Sequence, residues 1–231
     1  MNDTTRETST ADDRVGVLIV DDHPLVRRGL AMLIIKSPDL RVMGQAADTQ
    51  GALALMAEQE PEVAVIDLSL AGGSGLDLLK EIGRRHPSVL TLVLTMHDEL
   101  FYAERALRAG SRGYVMKGEE TDEVLEAIRQ VRKGEIYVSE HLRSTLVTRA
   151  ADPGPNAPSS AVESLSDREL EVFELVGRGQ PTREIAKQLS VSVKTVETHR
   201  HRIKEKLGLR SGTEMVRYAI RWVEREAGSP A

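Results

Sequence analysis

The chain has 231 residues, no cysteine and a formal net charge of −5, so it has room for two domains but excludes a disulfide framework and a thiolate metal site. From residue 160 onward there are 13 Lys and Arg against 11 Asp and Glu, a net of +2, which leaves −7 for the first 159 residues. Residues 190–210 carry six basic and two acidic side chains. A basic segment that follows an acidic one in the chain predicts that only the second part of the chain binds a polyanion.

The first 13 residues are polar and lack the apolar segment of a secretory signal. Nowhere does the chain approach the roughly 18 uninterrupted apolar residues of a membrane span. We therefore expect a disordered head at residues 1–13 and a cytoplasmic protein that makes no membrane contact.

Strand and helix signals alternate five times in residues 14–134. Strands are predicted at 15–20, 41–46, 63–68, 89–95 and 113–116, and helices at 24–37, 49–58, 75–86, 99–109 and 121–132. Thr49 is the expected cap of the second helix. Five such units predict an α/β domain, a doubly wound five-stranded parallel sheet covered by helices on both faces.

Polar side chains follow four of these strands: Asp21-Asp22, Asp67, Thr95 and Lys117. The carboxyl ends of parallel strands share one edge of a sheet, so these side chains should gather there. Clustered carboxylates are costly unless a cation joins them, and hard oxygen ligands with no His or Cys among them favour Mg²⁺. The sequence therefore predicts a Mg²⁺ site.

Asp67 stands alone at its strand end and is the expected nucleophile for an aspartyl phosphate. Lys117 would pair with the phosphoryl oxygens and the Thr95 hydroxyl would hydrogen-bond to them. Each residue also has a plain alternative: an Asx turn at Asp21-Asp22, a helix cap at Thr95, a solvated charge at Lys117. Together these alternatives require several independent coincidences.

The order of these residues resembles the receiver domain of two-component response regulators: Asp21-Asp22, Asp67, Thr95, Tyr114 and Lys117. The chain as a whole resembles the NarL/FixJ type. The resemblance implies that Asp67 is the phosphoacceptor and that Asp22, Asp67 and the backbone carbonyl of Ser69 bind Mg²⁺ directly. Asp21 would help through water.

The resemblance also implies a switch pair, Thr95 and Tyr114. Phosphate would draw the Thr95 hydroxyl inward, and Tyr114 would fill the vacated space. The side chains of Ser69 and His97 would flank the path of the hydrolysing water. The chain has Leu70-Ala71 where the family usually has Met-Pro, a departure that removes no chemical group.

Residues 135–162 are the expected linker, with a short helix at 140–150 and a Pro-, Gly- and Ser-rich stretch at 151–160 that cannot form a packed core. Residues 163–227 then form a small all-α helix-turn-helix domain. Ser166 and Glu169 form the expected capping box of its first helix. Helices at 181–189 and 193–207 are joined by a tight turn, and the second is basic. A fourth helix is predicted at 212–226.

Two runs, Leu-Ser-Asp-Arg-Glu-Leu-Glu-Val and Val-Lys-Thr-Val-Glu-Thr-His, resemble the LuxR-type DNA-binding domain. On the third helix of this domain, Thr198 would meet a thymine methyl, His201 a base edge and Glu197 a cytosine amino group. Lys204 or Glu205 shares that outward face. The flanking residues suit phosphates: Lys194, Thr195, Arg200 and Arg202. A solvated basic face on a helical bundle is the alternative.

The fourth helix is the expected dimer contact, through Met215, Ala219 and Trp222. Trp222 has an equal alternative in completing the domain core. In the unphosphorylated chain we expect the receiver to cover the third helix of the second domain.

The sequence therefore indicates a phosphorylation-controlled transcriptional regulator that is not an enzyme. It would receive phosphate from a sensor histidine kinase and bind promoter DNA as a homodimer. Phosphatases of the haloacid-dehalogenase type carry a second Asp two residues after the nucleophile, where this chain has Ser69. A receiver that only binds proteins does not explain the basic helix.

Overall fold

The computed structural model describes residues 13–70, 73–151, 161–189 and 191–227. Its strands, in chain order, are β1 (Val15–Val20), β2 (Leu40–Ala46), β3 (Val63–Ile66), β4 (Ser69–Leu70), β5 (Gly73–Ser74), β6 (Leu90–Thr95) and β7 (Gly113–Met116). Its α-helices are α1 (Pro24–Lys36), α2 (Thr49–Glu58), α3 (Gly75–Arg85), α4 (Glu99–Arg108), α5 (Thr121–Arg132), α6 (Glu140–Ala151), α7 (Asp167–Gly177), α8 (Thr182–Gln188), α9 (Val193–Lys206) and α10 (Gly212–Ala227). Nearly all of the predicted head and the Pro-rich part of the linker lie outside these ranges. Within them, no helix combines the length and the apolar character needed to cross a bilayer.

Five strands form one parallel sheet in the order β2-β1-β3-β6-β7. This confirms the predicted doubly wound fold. The chain winds outward from β1 in one direction to β2 and in the other to β3, β6 and β7, so β1 and β3 flank the switch point where open α/β sheets place their sites. Val20 is aligned with Ile66, so Asp21 and Asp67 emerge side by side.

Alternate strand residues are buried on opposite faces of the sheet. Val17 and Ile19 of β1 pack with Leu30 of α1 and with the buried face of α5. Leu18 and Val20 belong to the other face, which α2, α3 and α4 cover. Helices on both faces leave the carboxyl edge of the sheet as the place where polar side chains can meet.

The C-terminal domain is all-helical, and its first helix begins as predicted. Ser166 Oγ accepts from the Glu169 backbone N–H, and the Glu169 carboxylate accepts from the Ser166 N–H. α8 and α9 form the helix-turn-helix, and α10 packs across α7. At their crossing a Cβ on Gly177 would lie 2.5 Å from the Ala219 carbonyl oxygen, so only glycine permits this approach.

The two domains touch through α3 and α4 on one side and α7 and α10 on the other. The rings of Phe101 and Trp222 lie with their centroids 4.3 Å apart. Arg105 Nη1 is 3.1 Å from Asp167 Oδ1, and Lys80 Nζ is 2.9 Å from Asp167 Oδ2. Buried apolar residues of both domains form one continuous cluster. The docked arrangement is therefore held by apolar packing and by charge pairs together.

Some local details differ from the sequence prediction. The cap of α2 is Asp48, whose side chain accepts from the Gly51 N–H at 2.8 Å, and the predicted cap Thr49 is the first helical residue. β3 is shorter than predicted and ends before Asp67. The β4–β5 hairpin was not predicted, because two-residue strands carry no readable periodicity.

Candidate functional site

Three carboxylates and one imidazole meet at the carboxyl edge of the sheet. One ligand atom from each of Asp21, Asp22, His23 and Asp67 lies within 4.8 Å of the others. Asp21 and Asp67 are each only 3% exposed. The predicted gathering of carboxylates is thus present in the structure.

Lys117 is the counter-charge of the two buried carboxylates. Its Nζ lies 2.6 Å from Asp67 Oδ2 and 2.6 Å from Asp21 Oδ2. Burial lowers the pKa of Lys117, but the charges and hydrogen bonds of Asp67 and Asp21 outweigh it and hold the pKa above its usual value. Lys117 therefore stays charged at neutral pH beside the proposed nucleophile.

The sequence suggested a set of candidate ligands made of carboxylates alone, and the structure adds His23 to this set. Its Nδ1 lies 2.6 Å from Asp22 Oδ1 and 3.4 Å from Asp21 Oδ1. The ring is 64% exposed, at the mouth of the cluster. The signal was available in the sequence, since His23 directly follows Asp22.

Asp22 Oδ1 is a buried acceptor that needs a partner. No hydrogen bond reaches this oxygen from the described residues, although His23 Nδ1 lies 2.6 Å away. Burial raises the pKa of Asp22, and the neighbouring charges of Asp67 and Asp21 add to the rise against the lowering effect of His23. An orphaned oxygen among carboxylates fits a hard divalent cation, which would supply the missing partner.

The loop after β3 shapes the surroundings of Asp67. The backbone N–H of Ser69 donates to Asp67 Oδ1 at 3.3 Å, so each Asp67 oxygen has a different donor. The Ser69 hydroxyl lies 2.9 Å from Nε2 of His97. The two side chains predicted to flank the hydrolysing water are thus bonded to each other.

His97 also connects the proposed switch pair. Its backbone N–H donates to the Thr95 hydroxyl at 3.5 Å, and its carbonyl accepts from the Tyr114 hydroxyl at 2.9 Å. Thr95 and Tyr114 are 0% and 1% exposed. Tyr114 therefore lies inside the domain in the described structure.

The outward face of α9 is open. Lys194, Glu197, Thr198 and His201 are exposed, so in the described structure the N-terminal domain leaves this face accessible. The expected covering of α9 is therefore wrong for this arrangement. The domain contact runs through α7 and α10 instead.

Hydrogen bonds position several of the predicted DNA contacts. The Thr182 hydroxyl of α8 donates to Glu197 Oε1 at 3.0 Å and accepts from Arg200 Nη1 at 2.8 Å. The Thr198 hydroxyl donates to the Lys194 carbonyl at 2.9 Å, which directs the hydroxyl back along its own helix. Three further predicted contacts lie along the same helix: Thr195, Arg202 and Lys204.

The predicted dimer contact on α10 needs correction. Met215 and Ala219 are 0% exposed, and Ala219 packs against Gly177 of the same domain. These two side chains complete the domain core and are not available to a second copy. Trp222 is 4% exposed and lies between Phe173 of its own domain and Phe101 of α4.

Comparisons with known proteins match both domains. Residues 17–129 match the family model described as response regulator receiver domain, and residues 163–219 match the model described as bacterial regulatory proteins, luxR family. The chain is 39% identical over 209 residues to the oxygen regulatory protein NreC of Staphylococcus aureus, with 89% of this chain and 96% of NreC covered.

Solved structures of similar fold include response regulators. RcsB of Salmonella typhimurium aligns at 27% identity with a TM-score of 0.65, over 90% of this chain and 98% of RcsB. RcsB bound to promoter rprA in the presence of the phosphomimetic BeF3− aligns at 26% identity with a TM-score of 0.60, over 90% of this chain and 98% of that one. With both domains and their order matched, the chain belongs to the NarL/FixJ-type two-component response regulators, built from a receiver domain and a LuxR-type helix-turn-helix domain.

Proposed function

We propose that this response regulator binds promoter DNA as a homodimer and that a phosphoryl group on Asp67, donated by a sensor histidine kinase, controls this binding. The observation that carries the proposal is the buried Asp67 carboxylate, held by Lys117 beside Asp21 and Asp22, in one chain with the exposed basic helix α9. The bound promoter and dimers in the RcsB structures support it.

The acidic cluster is the proposed Mg²⁺ site. Asp22, Asp67 and the Ser69 carbonyl would hold the ion, and Asp21 would reach it through water. When bound, the ion offsets the negative charge of the phosphoryl donor. An Asp67 oxygen attacks the phosphorus as the bond from phosphorus to the donor breaks. Lys117, already 2.6 Å from Asp67 Oδ2, is in range to pair with the new phosphoryl oxygens.

The signal reaches the second domain through the loop between β6 and α4. If the Thr95 hydroxyl turns toward the phosphoryl group, the N–H of His97 loses its acceptor and this loop moves. α4 follows the loop and carries Phe101 and Arg105, which hold the second domain. Phosphorylation therefore favours the released state by its differential interaction with the two states.

Release would uncover Trp222, because Phe101 covers one side of its ring in the docked chain. An exposed tryptophan is a strong anchor for a protein interface. We therefore propose that Trp222 contributes to the dimer of the released form. Two copies would place two α9 helices on half-sites about one helical turn apart.

Base reading is assigned to the exposed side of α9. Because the Thr198 hydroxyl is bonded to its own helix, its methyl group is free to contact a thymine methyl. Glu197 is held by Thr182 and can accept from a cytosine amino group. Lys194 is exposed at the start of the helix and is assigned to phosphate.

Substitutions on α9 test this assignment. We expect Lys194→Ala to weaken binding to all sequences alike and to reduce the salt slope by about 0.9, the value for one phosphate contact. Glu197→Ala and His201→Ala should instead change the preferred bases at one position each, by about 1–3 kcal/mol per base pair. The measurement is selection from a randomised duplex library by the phosphorylated full chain. Unchanged base preferences in both variants would place the reading face elsewhere.

A matched control uses the same helix. Glu205→Ala removes a carboxylate one turn beyond His201, where the two side chains are 3.3 Å apart. If base preference at the position assigned to Glu197 changes as much in Glu205→Ala as in Glu197→Ala, the effect comes from the charge of the helix and base reading by Glu197 is excluded.

A further inference from the structure

A buried carboxylate of the DNA-binding domain contacts side chains of the receiver domain. Glu174 lies on α7 and is 5% exposed, yet its Oε2 accepts from the Tyr102 hydroxyl at 2.9 Å and lies 3.2 Å from Nδ1 of His97. Its Oε1 accepts from Arg178 of its own helix at 2.6 Å. Two of the three partners of this carboxylate thus come from the other domain.

These contacts form a line from Glu174 toward the phosphorylation site. Glu174 Oε2 contacts Nδ1 of His97, Nε2 of His97 contacts the Ser69 hydroxyl at 2.9 Å, and the Ser69 N–H contacts Asp67. Burial raises the pKa of Glu174, but the hydrogen bond from His97 and the charge of Arg178 outweigh it and leave the pKa below its usual value. Glu174 is therefore ionised and can only accept.

An ionised acceptor at Nδ1 determines where the imidazole carries its hydrogen. Nδ1–H must face Glu174, and Nε2 is then the ring nitrogen that faces Ser69 and the phosphorylation site. The same order of groups, a hydroxyl, an imidazole and a carboxylate, orients the base in hydrolases. Here the carboxylate is supplied by the second domain.

We propose that Glu174 is a positioning residue for His97 and that the docked DNA-binding domain thereby speeds hydrolysis of the phosphoryl group on Asp67. The inference rests on the proposed phosphorylation of Asp67. Water attacks the phosphorus and the bond between phosphorus and the Asp67 oxygen breaks. The products are the Asp67 carboxylate and inorganic phosphate, and the proton of the water passes to Nε2 of His97.

This arrangement ties the lifetime of the phosphoryl group to the position of the domains. A phosphorylated chain that redocks brings Glu174 back to His97 and loses its phosphate quickly. A chain held on DNA in the released form keeps Glu174 away from His97 and stays phosphorylated. The phosphate is thus retained by the molecules that have found a target.

The test measures labelling and decay separately in the full chain. Glu174→Gln keeps the shape of the side chain, but its amide can donate to Nδ1 and leave the hydrogen on Nε2. We expect labelling by acetyl phosphate with Mg²⁺ to start at the parent rate, and decay after donor removal to be slower by about tenfold, below the 10²–10⁴ of a complete general base. Tyr102→Phe removes a different donor from the same Glu174 oxygen and should decay at the parent rate.

A double-mutant cycle with His97→Ala identifies the route. In the His97→Ala background Glu174→Gln should have no further effect on decay. The inference is overturned if Glu174→Gln decays like the parent, if its slowing persists without His97, or if Tyr102→Phe slows decay equally. A parent chain that is not labelled on Asp67 would instead overturn the proposed function, a result that the labelling step reveals by itself.

Discussion

Asp67→Asn is expected to abolish labelling of the chain by acetyl phosphate in the presence of Mg²⁺. An amide is a poor nucleophile, and the substitution also removes a ligand of the proposed ion and the partner of Lys117 at 2.6 Å. Intact-mass spectrometry before and after exposure to the donor measures the loss directly.

Asp77→Asn is the matched control for this substitution. Asp77 is on α3, and its side chain is 74% exposed. The Asp77→Asn chain should be labelled to the parent level, because Asp77 has no contact with the acidic cluster. Undiminished labelling of Asp67→Asn would show that the phosphoryl group attaches elsewhere, and loss of labelling in Asp77→Asn would mean that the assay reports general damage.

Gly75→Ala is expected to destabilise the receiver domain and to slow labelling of Asp67 together. A Cβ at residue 75 would lie 2.3 Å from the Asp67 carbonyl oxygen and 2.6 Å from the Leu68 Cα, so the backbone that carries the nucleophile must move. We expect a loss of roughly 3 kcal/mol in the free energy of unfolding, at the upper end of the usual cost of overpacking. Urea unfolding and the initial labelling rate measure the two effects.

The same helix offers an internal control at Gly83. A Cβ there meets nothing within 4 Å, and the residue is exposed. Gly83→Ala should leave labelling unchanged and stabilise the domain by about 0.5–1 kcal/mol, since alanine loses less backbone freedom in a helix. Equal unfolding free energies for Gly75→Ala and the parent would contradict the close approach of α3 to the Asp67 loop.

The receiver site was predictable because its residues follow strands whose order is constrained. Asp21, Asp67 and Lys117 are far apart in the chain, yet each comes directly after an apolar run. Once the runs are assigned to one parallel sheet, the residues share an edge. The distances of 2.6 Å from Lys117 to both carboxylates bear this out.

His23 was missed because the pattern used to find ligands was strand periodicity, which says nothing about an exposed residue after the strand ends. The turn that leads into α1 brings the ring back over Asp22. A backbone N–H bond from His23 to Asp21 Oδ1 at 2.7 Å holds this turn. The geometry depends on local dihedral angles, which periodicity does not encode.

The domain contact could not be predicted from the sequence in the same way. Glutamates at 171 and 174 on α7 are typical of a solvent-facing side of a helix, yet both are buried. Their burial comes from the receiver domain, which supplies Ser74 to Glu171 and His97 and Tyr102 to Glu174. A contact between domains across a linker depends on their relative position, which no local pattern determines.

The internal structure of the second domain, unlike the contact between the domains, could be predicted from the sequence. Its capping box and helix-turn-helix were predicted because both are local patterns, and the structure confirms them. The prediction that the receiver domain covers α9 was wrong, because no local sequence pattern supported it. α9 is open, and the contact between the domains runs through α7 and α10 instead.

The most direct measurement is the affinity of the full chain for a duplex selected from a randomised library, with and without acetyl phosphate and Mg²⁺. We predict that phosphorylation tightens binding by about tenfold, within the usual range of coupling between two sites. Asp67→Asn should bind with the weaker affinity under both conditions. Equal affinities of the labelled and unlabelled parent, with Asp67 verified as the labelled residue, would contradict control of DNA binding by the phosphoryl group.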